Sequence, residues 1–92
     1  MNEKRKEFEA PQKLLALLNE EYDWPCSYTF KFIVPPEKVH ILKNIVKSEE
    51  AKLNPSRNGK YISVTIKKEM ESAEKVIEVY ADASTIEGII SL

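Results

Sequence analysis

One cysteine, one histidine and two glycines are all that this chain of 92 residues contains of the types that most often do chemistry or permit sharp turns. A single thiol, Cys26, excludes an internal disulfide, so no oxidising compartment is required. A single imidazole, His40, excludes a two-histidine metal site, and no Cys–His spacing marks a nucleophile–base pair. Charge of one sign is missing too. The 14 basic and 15 acidic side chains leave a net charge of −1, too even for the broad positive field that holds nucleic acid or an anionic membrane. No apolar run approaches the ~18 residues of a membrane span. The charged N-terminus lacks the apolar segment of a signal peptide, so the expected location is the cytoplasm. Neither an internal repeat nor a low-complexity tract is present.

What remains is an ordinary soluble composition, 42% hydrophobic and 32% charged, enough for one domain with one modest core. The strongest local signal is Asn58-Gly59, two residues that tolerate φ > 0 as a tight hairpin turn requires. The cleanest strand follows it. Ile62, Val64 and Ile66 point one way; Tyr61, Ser63, Thr65 and Lys67 point the other, and the strand runs to about Met70. An earlier strand, Cys26–Val34, alternates in the same manner. Tyr28, Phe30, Phe32 and Val34 share its buried face; Ser27, Thr29, Lys31 and Ile33 share the open one.

Between and around these strands lie helical patterns. Met1–Glu9 is a charged tail expected to fray. Ala10–Glu20 carries a leucine stripe, Leu14, Leu15 and Leu18, widened by Leu17, with Pro11 suited to the first turn. These leucines either cover part of the same domain or form a docking arm. Tyr22 and Trp24 are expected to plug the edge of the core rather than form an exposed patch. Pro35-Pro36 stops the first strand and opens a helix to about Lys47, with Val39, Ile41, Leu42, Ile45 and Val46 apolar. Ser48–Leu53 reads as a short edge strand. Ser72 caps a last helix whose stripe is Ala73, Val76, Ile77, Tyr80 and Ala81. Ile86–Leu92 reads as a final strand with a bulge at Gly88.

The order is helix, then β-α-β-β-α-β. It predicts an α+β fold: a ferredoxin-like two-layer sandwich in which two helices cover one face of a four-stranded antiparallel sheet. Residues 1–21 form the tail and amphipathic helix, and residues 22–92 form the sandwich.

The runs Trp24–Ile33, Asn54–Ile66 and Glu74–Tyr80 resemble the YbeD-like family of small uncharacterised bacterial proteins (domain of unknown function 493). Pro55-Ser56 followed by Gly59, Tyr61, Ser63 and Val64 is the most specific part. The resemblance covers Trp24 to the C-terminus and leaves the leucine-rich arm before Tyr22 outside. It implies a ferredoxin-like fold similar to the ACT regulatory domain of amino-acid enzymes. It implies no activity and no site residues.

The residues themselves bear on three classes of function. For an enzyme, His40 reads as a solvated helix residue and Cys26 as an inert thiol. Acylphosphatases share this fold and bind phosphate after the first strand, where this chain has Val34-Pro35-Pro36-Glu37. Prolines lack the amide donors of such a cradle and glutamate repels the anion. No catalysis, metal or cofactor is expected. For nucleic acid, base-stacking domains of this topology place aromatics on the open face. Only Tyr61 is available there, and Lys31, Lys60, Lys67 and Lys68 make a small patch, so nucleic-acid binding is disfavoured. For an ACT-like small-molecule site, Pro35-Pro36 occupies the turn where a glycine is needed. A binding or regulatory module acting through an unidentified protein partner, or through a second copy, is the reading that survives. Its surface is the open face, with Thr29, Lys31, Tyr61, Ser63, Thr65 and Lys67 as candidate contacts. A strand edge is the other surface able to pair with another chain.

Overall fold

A computed structural model describes residues 12–48 and 50–92. The charged tail, and Ala10 and Pro11 at the expected helix start, lie outside the described residues. The described elements run α1 (Gln12–Glu21), β1 (Cys26–Val34), a single 3-10 turn (Pro36–Lys38) leading into α2 (Val39–Val46), β2 (Ala51–Pro55), β3 (Ile62–Met70), α3 (Ala73–Ala83) and β4 (Ile90–Ser91). Among the described residues the result is a mixed α/β fold with a four-stranded antiparallel open sheet, in the order β2-β3-β1-β4, and three helices.

The sheet is built on the β1–β3 pair, which stays in register from Cys26 opposite Met70 to Val34 opposite Ile62. Residues directly opposite share a face, so Phe30 meets Ile66 and Phe32 meets Val64. All four side chains are fully buried, together with Val34. Leu42 and Val46 of α2 and Ala73, Val76 and Ala83 of α3 close this core from the helical side. Ser72 starts α3 as the pattern predicts, its hydroxyl accepting from the Lys75 amide at 3.2 Å.

The leucine helix packs on the same body. α1 lies against α3, Leu18 enters the core, and Leu14 and Leu15 are half-buried beside it. Leu17 departs from the expected stripe and is 53% exposed. Tyr22 and Trp24 do plug the core edge: their rings sit 5.4 and 6.5 Å from that of Tyr28. The Trp24 indole donates to the side-chain oxygen Oδ1 of Asn19 at 3.0 Å, tying the linker to α1.

Two turns correct the sequence reading. In the β2–β3 hairpin the Gly59 amide donates to the Ser56 carbonyl, so the turn is centred on Arg57-Asn58. Gly59 alone takes the left-handed conformation, with φ +73°, and Asn58 instead accepts the Lys60 amide on its side chain at 3.1 Å. The last strand is also shorter than Ile86–Leu92. Ile86 drops into the core, and Gly88, at φ +84°, lies in a turn. A β-carbon on Gly88 would stand 3.1 Å from Pro35 Cγ, so the chain needs a glycine where it passes that ring. Only Ile90 and Ser91 are left to pair with β1.

Phe30 is fully buried, while Thr29 beside it faces water. Phe30→Ala is expected to lower stability by about 3–5 kcal/mol, and Thr29→Ala to leave it within about 0.5 kcal/mol. Equal thermal midpoints for the two variants would refute the face assignment.

The Tyr80 ring packs 5.4 Å from Phe30, and its hydroxyl lies 3.0 Å from that of Tyr28. Burial, then that hydrogen bond and the neighbouring phenols, push its ionisation well above the ordinary tyrosine range. The folded state keeps this proton after the unfolded chain releases it near pH ~10. The contribution is therefore complete below that pH and is lost as the pH rises beyond it. Urea midpoints measured through the alkaline range should fall more steeply for the wild type than for Tyr80→Phe; matching slopes would count against the burial of this hydroxyl.

Candidate functional site: the uncovered face of the sheet

With the three described helices gathered on one side, the opposite face of the sheet carries the residues of the other parity. Thr29 lies opposite Lys67, Lys31 opposite Thr65 and Ile33 opposite Ser63. Thr29, Lys31 and Lys67 are exposed, while Ser63 and Thr65, on a strand flanked on both sides, are half-buried. Five of the expected contacts therefore converge on the centre of one face. Tyr61, 44% exposed, stands one residue before β3, at the corner of that face.

The hairpin loop explains the position of Tyr61. The Ser56 hydroxyl accepts the Tyr61 amide at 3.1 Å and donates to Asn58 Oδ1 at 3.0 Å, and the Ser56 amide donates to the Tyr61 carbonyl at 2.8 Å. Ser56 and Gly59, two of the residues that carry the family resemblance, thus shape the loop.

The structure also redraws the lysine patch. Lys68 leaves it. Its parity is that of Ile66, and its ammonium reaches across the helical side to donate to the Val46 carbonyl at 2.7 Å. There it satisfies one of the free carbonyls in the last turn of α2 and complements the negative end of that helix. Lys52 enters the patch from β2, opposite Thr65, with Asn54 opposite Ser63. Lys60 remains in the exposed loop. On the far side, Ile90 lies opposite Ile33, and the Leu92 amide donates to the Lys31 carbonyl at 2.9 Å. Ile90 and Leu92 are 51% and 65% exposed. An open depression of about 430 Å³ runs over Thr29, Glu50, Ala51, Lys52, Thr65 and Lys67.

Counting back from the turn would have found Lys52. A turn centred on Asn58-Gly59 pairs Arg57 with Lys60, and five further steps bring Lys52 opposite Thr65, the observed register. The apolar strip was hidden because the run Ile86–Leu92 does not disclose which residues pair.

The groups considered for chemistry lie apart. His40 is the second residue of α2 and exposed, near the Val34 end of β1, whereas half-buried Cys26 begins that strand. Nine strand residues at about 3.3 Å each separate the two ends by roughly 26 Å. Among the described residues no group of three His, Cys, Asp or Glu side chains is placed to hold a metal ion, and no helix is long and apolar enough to cross a membrane.

Lys67 and Lys68 are neighbours in sequence with opposite roles. Lys68→Met keeps the aliphatic stem but removes the donor to α2, and should cost roughly 1–2 kcal/mol. Lys67→Met should change stability by less than about 0.5 kcal/mol. Chemical denaturation of the two variants separates these outcomes, and an unchanged midpoint for Lys68→Met would show that the helix end does not depend on this donor.

No curated protein and no solved structure matches the chain. Residues 19–92, which begin in the last turn of α1 and take in the whole sheet and its uncovered face, match the model described as a protein of unknown function, DUF493, and the chain belongs to that family.

Proposed function

We propose that this chain is a non-catalytic binding or regulatory module of the cytoplasm, built on a ferredoxin-like plait related to ACT domains, and that it acts through protein contacts on the uncovered face of its sheet. The sheet order supports this plait: counted from the β4 edge it is β4-β1-β3-β2, with the two β-α-β units splitting around each other.

The observation that carries the functional reading is the composition of that face. A polar centre of Thr29, Ser63 and Thr65 adjoins half-exposed or exposed apolar side chains, Tyr61, Ile33, Ile90 and Leu92. Apolar groups beside satisfiable polar ones are what a protein contact uses. The face is broad and shallow, whereas ligand sites are concave and enclose most of a small molecule.

A small-molecule regulator is the second reading. The depression that joins Thr29 and Thr65 to Lys52, Lys67 and Glu50 favours it, because both signs of charge and two hydroxyls line one hollow. Thermal scans with single amino acids would raise the midpoint under this reading and leave it unchanged under the first.

Site-specific photo-crosslinking in cells tests the first reading. A photoreactive residue in place of Thr65 is expected to give a discrete adduct with another protein, and one in place of exposed Glu78 on α3 is not. An adduct twice the mass of the chain would identify the partner as a second copy. Absence of any adduct at Thr65, or equal labelling from both positions, would sink the proposal.

A further inference from the structure

Thr65 stands at the centre of a triangle of lysines. Lys31 faces it from β1, Lys52 faces it from β2, and Lys67 follows two residues along β3 on the same face. Strands lie about 4.8 Å apart, and same-face residues about 6.7 Å apart along a strand. Three ammonium stems therefore rise from a patch roughly 10 Å across.

This cluster runs against the charge of the molecule. The face carries three lysines against two carboxylates, Glu50 in the hollow that Lys52 and Lys67 also line and Glu69 at the far end opposite Ser27, so it is net positive in a chain whose net charge is −1. Among the described residues no carboxylate lies within ion-pair distance of Lys31, Lys52 or Lys67. Like charges on adjacent strands repel one another. The free protein bears that repulsion, and a partner of opposite charge relieves it.

The apolar strip adjoins the triangle directly. Ile33 follows Lys31 on the same face of β1, Ile90 lies opposite Ile33, and Leu92 is held beside Lys31 by its backbone hydrogen bond. The face thus has a positive half and an apolar half that share β1.

From this division we infer that the uncovered face receives an acidic polypeptide segment of another protein, its carboxylates against Lys31, Lys52 and Lys67 and an apolar side chain against Ile33, Ile90 and Leu92. The inference rests on the protein-contact reading above and specifies the chemistry of the partner. A second copy docked face to face about an axis near Thr65 would set the lysines against their own counterparts. A single strand of nucleic acid would find one aromatic ring, Tyr61 at the corner of the face, and none among Thr29, Lys31, Ser63 and Thr65 on which to stack successive bases.

The test is a titration of the isotope-labelled full chain, followed by amide chemical shifts at low salt. One probe is a synthetic decaglutamate bearing a central pair of leucines; the other is an oligothymidylate of equal charge. The peptide is expected to move the amides of Lys31, Lys52, Thr65, Lys67 and Ile90 in a saturable way. Reversing the three lysines together (K31E, K52E, K67E) should weaken it by on the order of tenfold or more. Because these side chains are exposed, the triple variant should keep a dispersed spectrum; if it does not, the corresponding glutamine triple replaces it.

Peptide shifts scattered over the helices, shifts that survive the charge reversal, or tighter binding of the oligothymidylate would each overturn the inference. The Thr65 adduct separates the two levels of the argument. A protein adduct that persists in the charge-reversed chain, with the peptide silent, removes the acidic partner and keeps the protein contact. Absence of the adduct from the wild type removes both.

Discussion

The pairing of β1 with β3 is the constraint on which the other elements depend. Along these two strands the large apolar side chains, Ile33 apart, have the same parity, with Phe30, Phe32 and Val34 on one and Val64 and Ile66 on the other, and these five are fully buried. A slip of one residue in either strand would turn its whole apolar set to the solvent. The register is therefore held by the full hydrophobic contribution of the core rather than by any one contact. It also decides the opposite face. Once the phenyl rings point towards the helices, Thr29, Lys31, Thr65 and Lys67 must point away from them, and the polar face follows from the apolar one.

Much of this was legible because period-two alternation is a local property. The bounds of β1, the buried parity of both central strands and the Ser72 cap all follow from neighbours in sequence. The resemblance carried by Trp24 onward led to the family that the chain belongs to. The features that were not legible depend on distant partners. Leu17 fits the leucine stripe by spacing, yet α1 meets α3 along Leu14, Leu15 and Leu18, and Leu17 is left outside. Ile86 has the composition of a strand residue but is pulled into the core, and Gly88 takes a left-handed turn where a β-carbon would meet the Pro35 ring. Lys68 was within reach of the sequence: its parity with Ile66 already placed it on the helical side, away from the patch assigned to it.

For the candidate surface the same distinction holds. The five strand residues expected on the open face are together because parity put them there. Lys52 joins them through the hairpin register, which the four-residue loop preserves even though its turn is centred one residue earlier than the Asn-Gly pair implies. The apolar strip depends on which residues of the last segment pair with β1, and nothing in Ile86–Leu92 states this. The chemistry visible in sequence was therefore the polar and basic half of the face, and the structure supplied its apolar half.

The edges of the sheet explain why the face, and not an edge, is the surface to consider. An open sheet leaves backbone donors and acceptors on its outer strands, and another strand can add there unless something prevents it. On β2, Lys52 places a charge within the edge and Pro55 removes an amide donor at its end. On β4 the paired segment is only Ile90–Ser91, too short to present a ladder of its own. Strand addition is discouraged at both edges by these local means. On the broad face, among the described residues, no such device is present: Ile90 and Leu92 are left half-exposed or more, and Lys31, Lys52 and Lys67 have no described ion-pair partner, an arrangement that costs the free protein both hydration of apolar surface and charge repulsion. A contact that covers the strip and neutralises the lysines relieves both at once, and an edge contact relieves neither.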